Sequence, residues 1–230
     1  MSDARALPLE AWSRWHAVVM SGAALAAVFA AKPWPLSAAA IPSLLVLVWL
    51  CRGAYTPSGS FGPANAVTAL RFALIASAPL LLHRANGWLY CALVQLIFAL
   101  DGIDGLVARR SGSASKFGGH FDMESDGVFV LVLGVELWQR GRVDAWIVFP
   151  GLLRYVYVLV VSVFPIRRRE SQPGNFGRRA FVVLIIGLSL ALIVPGWPGT
   201  LAAALGTAVI AVSFARSFLW SYGVFPRLSR

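Results

Sequence analysis

Asp101, Asp104, Asp122 and Asp126 fall in one short window. It reads Asp101-Gly102-Ile103-Asp104-Gly105-Leu106-Val107-Ala108-Arg109, then eight residues, then Gly118-Gly119-His120-Phe121-Asp122-Met123-Glu124-Ser125-Asp126. A helix turns about 100° per residue, so positions three or four apart share a face. Asp101 and Asp104 therefore project to one side of one helix end, and Asp122 and Asp126 to one side of the next helix start. Four converging carboxylates repel strongly at low dielectric. Two divalent cations between them would relieve that repulsion, and an all-oxygen donor set favours Mg²⁺ or Mn²⁺ over zinc. A two-metal carboxylate site suits displacement at phosphorus. Taken singly, each aspartate reads equally well as a helix-end charge. As a set they could also line an ion pathway.

The flanking sequence belongs in a membrane. The chain is 58 % hydrophobic and 13 % charged, with a mean hydropathy of +0.72. These values exclude an ordinary soluble globule. The net charge of +10 would point to nucleic acid in a soluble protein. Here the cations sit in short loops between apolar runs, so they report membrane orientation and no nucleic-acid partner. Cys51 and Cys91 lie in apolar segments, outside any CxxC or Cys/His cluster, so neither a disulfide framework nor a zinc site is expected.

Residues 1–15 read as a short interfacial helix. Apolar runs at 16–31 and 36–51 flank Lys32-Pro33-Trp34-Pro35 and read as a helical hairpin rather than a cleaved leader. A glycine- and proline-bearing linker spans 52–63, and six apolar segments follow, near 65–82, 87–101, 121–139, 143–165, 180–195 and 199–220. The expectation is an all-α integral membrane protein of about eight segments. It divides into an N-terminal part, 1–56, and a six-helix catalytic part, 57–230. Fourteen Lys and Arg residues fall on the aspartates' side of this topology, against Lys32, Arg84, Arg140 and Arg142 on the other, with Arg71 and Arg154 set aside inside apolar runs. That bias places the site and both termini in the cytoplasm.

The spacing D-x2-D-G-x2-A-R-x8-G-x3-D-x3-D resembles the signature of the CDP-alcohol phosphotransferase family, and the match from Asp101 to Asp126 is complete. Asn65-Ala66-Val67-Thr68-Ala69-Leu70-Arg71 resembles a second family segment, with Ala64 intervening after Pro63. The resemblance implies a six-helix core, possible homodimers and two Mg²⁺ or Mn²⁺ ions. Asp101, Asp104 and Asp122 would be metal ligands. Asp126 would ligate the second metal and serve as general base. The implied reaction moves a phosphatidyl or other substituted phosphate group from a CDP-linked donor to an alcohol, releasing CMP. CDP-diacylglycerol is the favoured donor and membrane lipids are partners. CDP-choline or CDP-ethanolamine acting on diacylglycerol is the alternative.

Asn65, Thr68 and Ser115 match nucleotide-binding positions of the family. Gly105 and Ala108 are small where a CDP group must approach. Arg109 offers a planar fork for phosphate oxygens, and Gly118 shares the face of Asp122. Arg154, among Tyr155 and Tyr157, marks a polar cavity and a candidate acceptor contact. Arg178 and Arg179, with Arg167 to Arg169 across the loop, could clamp an acceptor or donor phosphate or bind anionic headgroups. His120 and Glu124 fall off the aspartate face, and Glu124 is expected to make an interhelix contact. Glu136 is expected to snorkel to the interface.

Members with a glycerol-phosphate acceptor carry an L-D-P-x-A-D-K-like segment where this chain has Phe121-Asp122-Met123-Glu124-Ser125-Asp126-Gly127. Inositol phosphate, serine, choline and glycerol phosphate therefore stay open as acceptors. A divalent-cation transporter is the alternative of a different class. Gly105, Ala108 and Arg109 argue against it, because a cation path needs no arginine fork beside its ligands.

Overall fold

In the computed structural model, residues 6–82, 85–164 and 175–223 are described. They form eight α-helices: α1 (Ala6–Ala30), α2 (Trp34–Leu50), α3 (Pro63–Leu81), α4 (Gly87–Ser111), α5 (Lys116–Gln139), α6 (Phe149–Val163), α7 (Phe176–Ile193) and α8 (Trp197–Ser221). A 3₁₀ turn, Ala145–Val148, leads into α6.

Local chemistry sets the helix ends. The Asn86 side chain accepts from Leu89 N–H (2.8 Å) to cap α4, and Ser115 accepts from Gly118 N–H (3.0 Å) to cap α5. Gly112 closes α4 at φ 61°, a left-handed conformation that favours glycine. Proline opens α2, α3, α6 and α8, where its missing N–H costs nothing.

The first helix differs from the sequence expectation. Residues 6–30 form one unbroken rod rather than an interfacial segment followed by a span. This rod is tied to α2: Trp12 Nε1 donates to Ser43 O (3.0 Å), and His16, just past the stretch expected at the interface, shares a 2.7 Å hydrogen bond through Nδ1 with Ser43 Oγ.

Among the described residues, five helical stretches are long and apolar enough to cross a bilayer: α3, α4, Ala145–Val163, α7 and α8. The remaining helices have identifiable reasons for falling short of the eight expected. At 17 residues, α2 sits at the lower limit for a span. The polar start of α1 carries Glu10, Arg14 and His16. Asp122, Glu124, Asp126 and Glu136 lie along α5, yet α5 is the core of the bundle, with a continuous buried run from Gly127 to Leu137. Glu136 is not at the interface. It is fully buried, accepts from Arg140 Nε at 3.0 Å, and Arg140 caps the Ala85 and Leu82 carbonyls at the end of α3.

The helices run alternately up and down. One end of the bundle therefore gathers the start of α3, the end of α4, the starts of α5 and α7 and the end of α8. Exposed Trp34, Trp88 and Trp197 start α2, α4 and α8 at the opposite end, the arrangement expected of an interfacial aromatic belt. α5 and α6 touch backbone to backbone: a Cβ on Gly151 would lie 2.6 Å from Leu131 Cα. We expect Gly151→Leu to prise these helices apart, costing about 1–3 kcal/mol, read as a lowered Tm of the detergent-solubilised protein.

Candidate active site

Four carboxylates meet where α4 ends and α5 begins, with one arginine from α3 at their centre. Arg71 is 1 % exposed. Its Nη1 donates to Asp101 and lies 3.4 Å from Asp104. Its Nη2 donates to the Asp122 carboxylate and lies 3.1 Å from Asp126. The i, i+3 and i, i+4 spacings deliver the convergence expected of them. Thr68, one turn before Arg71 on α3, donates to Asp104 Oδ2 at 2.9 Å. Asp104 is buried, whereas Asp101, Asp122 and Asp126 keep 29 %, 40 % and 29 % of their side-chain surface.

The donor set fits hard cations. Asp101, Asp122 and Asp126 each present a carboxylate oxygen, all within 4.8 Å of one another. One guanidinium offsets one of four negative charges. Divalent ions with oxygen ligands at about 2.0–2.6 Å suit the remainder. Asp104 stands apart from this trio, engaged by Thr68 and facing Arg71.

The cluster forms one wall of a cavity of about 1040 Å³. Gly105, Arg109, Arg154 and Arg178 join the four aspartates in its lining, and Phe98, Val130, Phe181, Leu184, Ile210, Phe214 and Trp220 supply apolar walls.

The other expected residues are placed differently. Asn65 Nδ2 donates to the Phe61 carbonyl (2.6 Å) and the Tyr55 carbonyl (3.3 Å), and Ser115 Oγ also donates to Tyr55 O. A Cβ on Gly118 would meet Asn65 Oδ1 at 2.9 Å. Asn65, Ser115 and Gly118 thus interlock the 52–62 linker with the starts of α3 and α5, beside the cavity rather than in its lining. The space that Gly118 leaves is filled by Asn65. Ala108 and Arg179 are likewise absent from the lining. The nearest neighbour to a Cβ on Gly105 is Arg109 Nη1, at 3.3 Å. His120 bonds the Lys116 carbonyl of its own helix (2.9 Å). Glu124 makes its interhelix contact, accepting from Arg154 Nη2 at 2.8 Å. Arg167, Arg168 and Arg169 lie outside the described residues, as do Arg5, Arg84, Arg227 and Arg230 of the orientation count.

A family model described as CDP-alcohol phosphatidyltransferase matches residues 62–218. The chain belongs to that family. It is 26 % identical over 132 residues to CDP-diacylglycerol--glycerol-3-phosphate 3-phosphatidyltransferase of Aquifex aeolicus (strain VF5), an alignment covering 55 % of this chain and 73 % of that protein. No solved structure matches it. This CDP-alcohol phosphatidyltransferase is an integral membrane enzyme of phospholipid biosynthesis that moves a substituted phosphate group from a CDP-linked donor to an alcohol. The matched segment holds α3 through most of α8, hence all four aspartates and Arg71, and leaves out α1 and α2.

Arg71, at the centre of the cluster, is a residue to which the sequence motifs assign no individual role. It lies within an apolar run and closes the Asn65-x2-Thr68-x2-Arg71 segment. A mid-membrane arginine requires a partner, and the aspartates were the nearest supply. The same signal that marks Arg154 applies to Arg71.

Proposed function

We propose that this enzyme transfers the phosphatidyl group of CDP-diacylglycerol to the hydroxyl of a small anionic alcohol, releasing CMP on the cytoplasmic side of a bacterial inner membrane. The observation that carries this reading is the cavity, with carboxylates and arginines on one wall and aromatic and aliphatic side chains on the others. A lipid carrying a nucleoside diphosphate needs both kinds of surface. The CDP-choline or CDP-ethanolamine alternative has no comparable use for Arg154 and Arg178 on the acceptor's path. Family membership removes the reason for a cation-transport reading.

Asp101, Asp104, Asp122 and Asp126 would hold two Mg²⁺ or Mn²⁺ ions, which when bound offset charge on the pyrophosphate and on departing CMP. Asp126 accepts the proton of the acceptor hydroxyl as that oxygen attacks the donor's β-phosphorus and the bond to the CMP oxygen breaks. Arg109 donates to phosphate oxygens, and Gly105 gives the nucleotide close access. Thr68 holds Asp104 in its orientation. Asn65, Ser115 and Gly118 support nucleotide binding by fixing the linker beside it. Arg154 and Arg178 favour an acceptor carrying phosphate, in accord with the glycerol 3-phosphate named for the Aquifex protein.

Purified enzyme with labelled CDP-diacylglycerol and Mg²⁺ or Mn²⁺ should release CMP when offered glycerol 3-phosphate or inositol phosphate, and not when offered serine or choline. Release with neither phosphorylated alcohol would overturn the reading. EDTA should stop turnover and added Mg²⁺ restore it. Asp101→Asn should raise the half-saturating Mg²⁺ concentration about tenfold or more, by analogy with the loss of a metal-orienting group. An unchanged Mg²⁺ requirement would remove Asp101 from the ligand set.

A further inference from the structure

Arg154 lies in the cavity lining, yet its partner Glu124 lies on the far side of α5, and side chains of α1, outside the family-matched segment, hold Glu124 in turn. Its Nη2 donates to Glu124 Oε1 at 2.8 Å, and Glu124 is 1 % exposed. Glu124 sits two residues from both Asp122 and Asp126, so it points away from the cavity while they point into it. The same Oε1 accepts from Ser13 Oγ of α1 at 3.1 Å. His16 of α1, also buried, brings Nε2 to 3.9 Å from Glu124 Oε2.

The His16 ring is itself fixed. It stacks on Trp12 with centroids 4.8 Å apart and meets the edge of Tyr155 at 5.8 Å. Ser43 of α2 holds its other nitrogen. Arg154 can reach around α5 because residue 127 is glycine: a Cβ there would stand 3.3 Å from Arg154 Cγ and 3.2 Å from Tyr155 Oη.

This arrangement is poorly suited to stability alone. Buried ion pairs contribute little net stabilisation against apolar residues of equal volume. His16 Nε2, Glu124 Oε2, Arg154 Nε and Tyr155 Oη are buried without hydrogen-bond partners, a cost that apolar packing would avoid. What the cluster does provide is an arginine held in place before any ligand arrives. A long side chain fixed in advance loses less freedom on binding.

We propose that Ser13, His16 and Glu124 are positioning residues that aim Arg154 at the anionic group of the acceptor, making the N-terminal helix a working part of the active site. This rests on the phosphatidyl-transfer reading for the acceptor's identity. The anion-binding claim is testable without turnover.

The full-length protein in detergent is titrated with inorganic phosphate, and thermal unfolding is followed by tryptophan fluorescence. Wild type should be stabilised with a measurable apparent Kd. Arg154→Ala should weaken that binding about tenfold or more, and Glu124→Gln and the milder Ser13→Ala by about three- to tenfold. On an Arg154→Ala background Ser13→Ala should add nothing, because its effect passes through the arginine. No phosphate binding by wild type, unchanged affinity in both Glu124→Gln and Ser13→Ala, or a Ser13→Ala effect that persists without Arg154 would each overturn the proposal.

With CDP-diacylglycerol present, the same variants should raise the acceptor KM and leave the donor KM unchanged; a rise in the donor KM instead would assign Arg154 to the donor phosphate and also overturn it. If wild type releases no CMP with any alcohol, the substrate reading falls, while the phosphate titration still decides this one.

Discussion

Asp126→Asn should lower kcat for CMP release by about 10²- to 10⁴-fold, the range set by loss of a positioned general base. CDP-diacylglycerol should still bind, because the amide keeps the size and place of the carboxylate and the other three aspartates are untouched. Asp126 sits 3.1 Å from Arg71 with part of its surface open to the cavity, so the substitution removes the proton acceptor without emptying a packed core. Rapid-quench measurement of CMP beside equilibrium binding of the donor separates the two effects. A wild-type rate in the amide variant would take the base role away from Asp126.

Arg71→Ala should be the most destabilising single change at the site. It leaves four carboxylates facing one another with no guanidinium between them. Removing one partner of a buried charge cluster costs about 3–5 kcal/mol, on the order of 10 °C in Tm for a chain of this size. Divalent ions should recover part of that loss, so the Tm of the variant should rise more steeply with added Mg²⁺ than that of wild type. Equal Tm values for the two proteins, or a variant indifferent to Mg²⁺, would show that Arg71 does not neutralise the cluster.

The carboxylate convergence was readable because it is a local property. Asp101 with Asp104, and Asp122 with Asp126, sit one turn apart on two consecutive helices, and a short connection brings those helix ends together. Periodicity also gave the eight helices, since apolar runs and Pro or Gly breaks mark them directly. Contacts between distant segments were not readable in this way. Ser13 and Glu124 are 111 positions apart, and no spacing rule connects them. Residues 1–15 read as a separate segment because Glu10 and Arg14 are charged; the helix runs unbroken through them, with Trp12 buried against Ser43 of α2. Glu136 reads as an interfacial charge although its partner is within reach, since Glu136 and Arg140 are an i, i+4 pair. Gly118 shares a helical face with Asp122 as its spacing requires, but a shared face does not reveal that Asn65 of another helix occupies it.

The charges along α5 also bear on biosynthesis. A segment carrying Asp122, Glu124, Asp126 and Glu136 is a poor substrate for lateral release from the translocon, where a central aspartate costs about 2.5–3.5 kcal/mol. Arg71 on α3 and Arg154 on α6 supply compensating charges, one emerging from the ribosome earlier and one later. α5 is therefore expected to depend on its neighbours for insertion, and a ribosome stalled before α6 should leave it exposed to quality-control proteases.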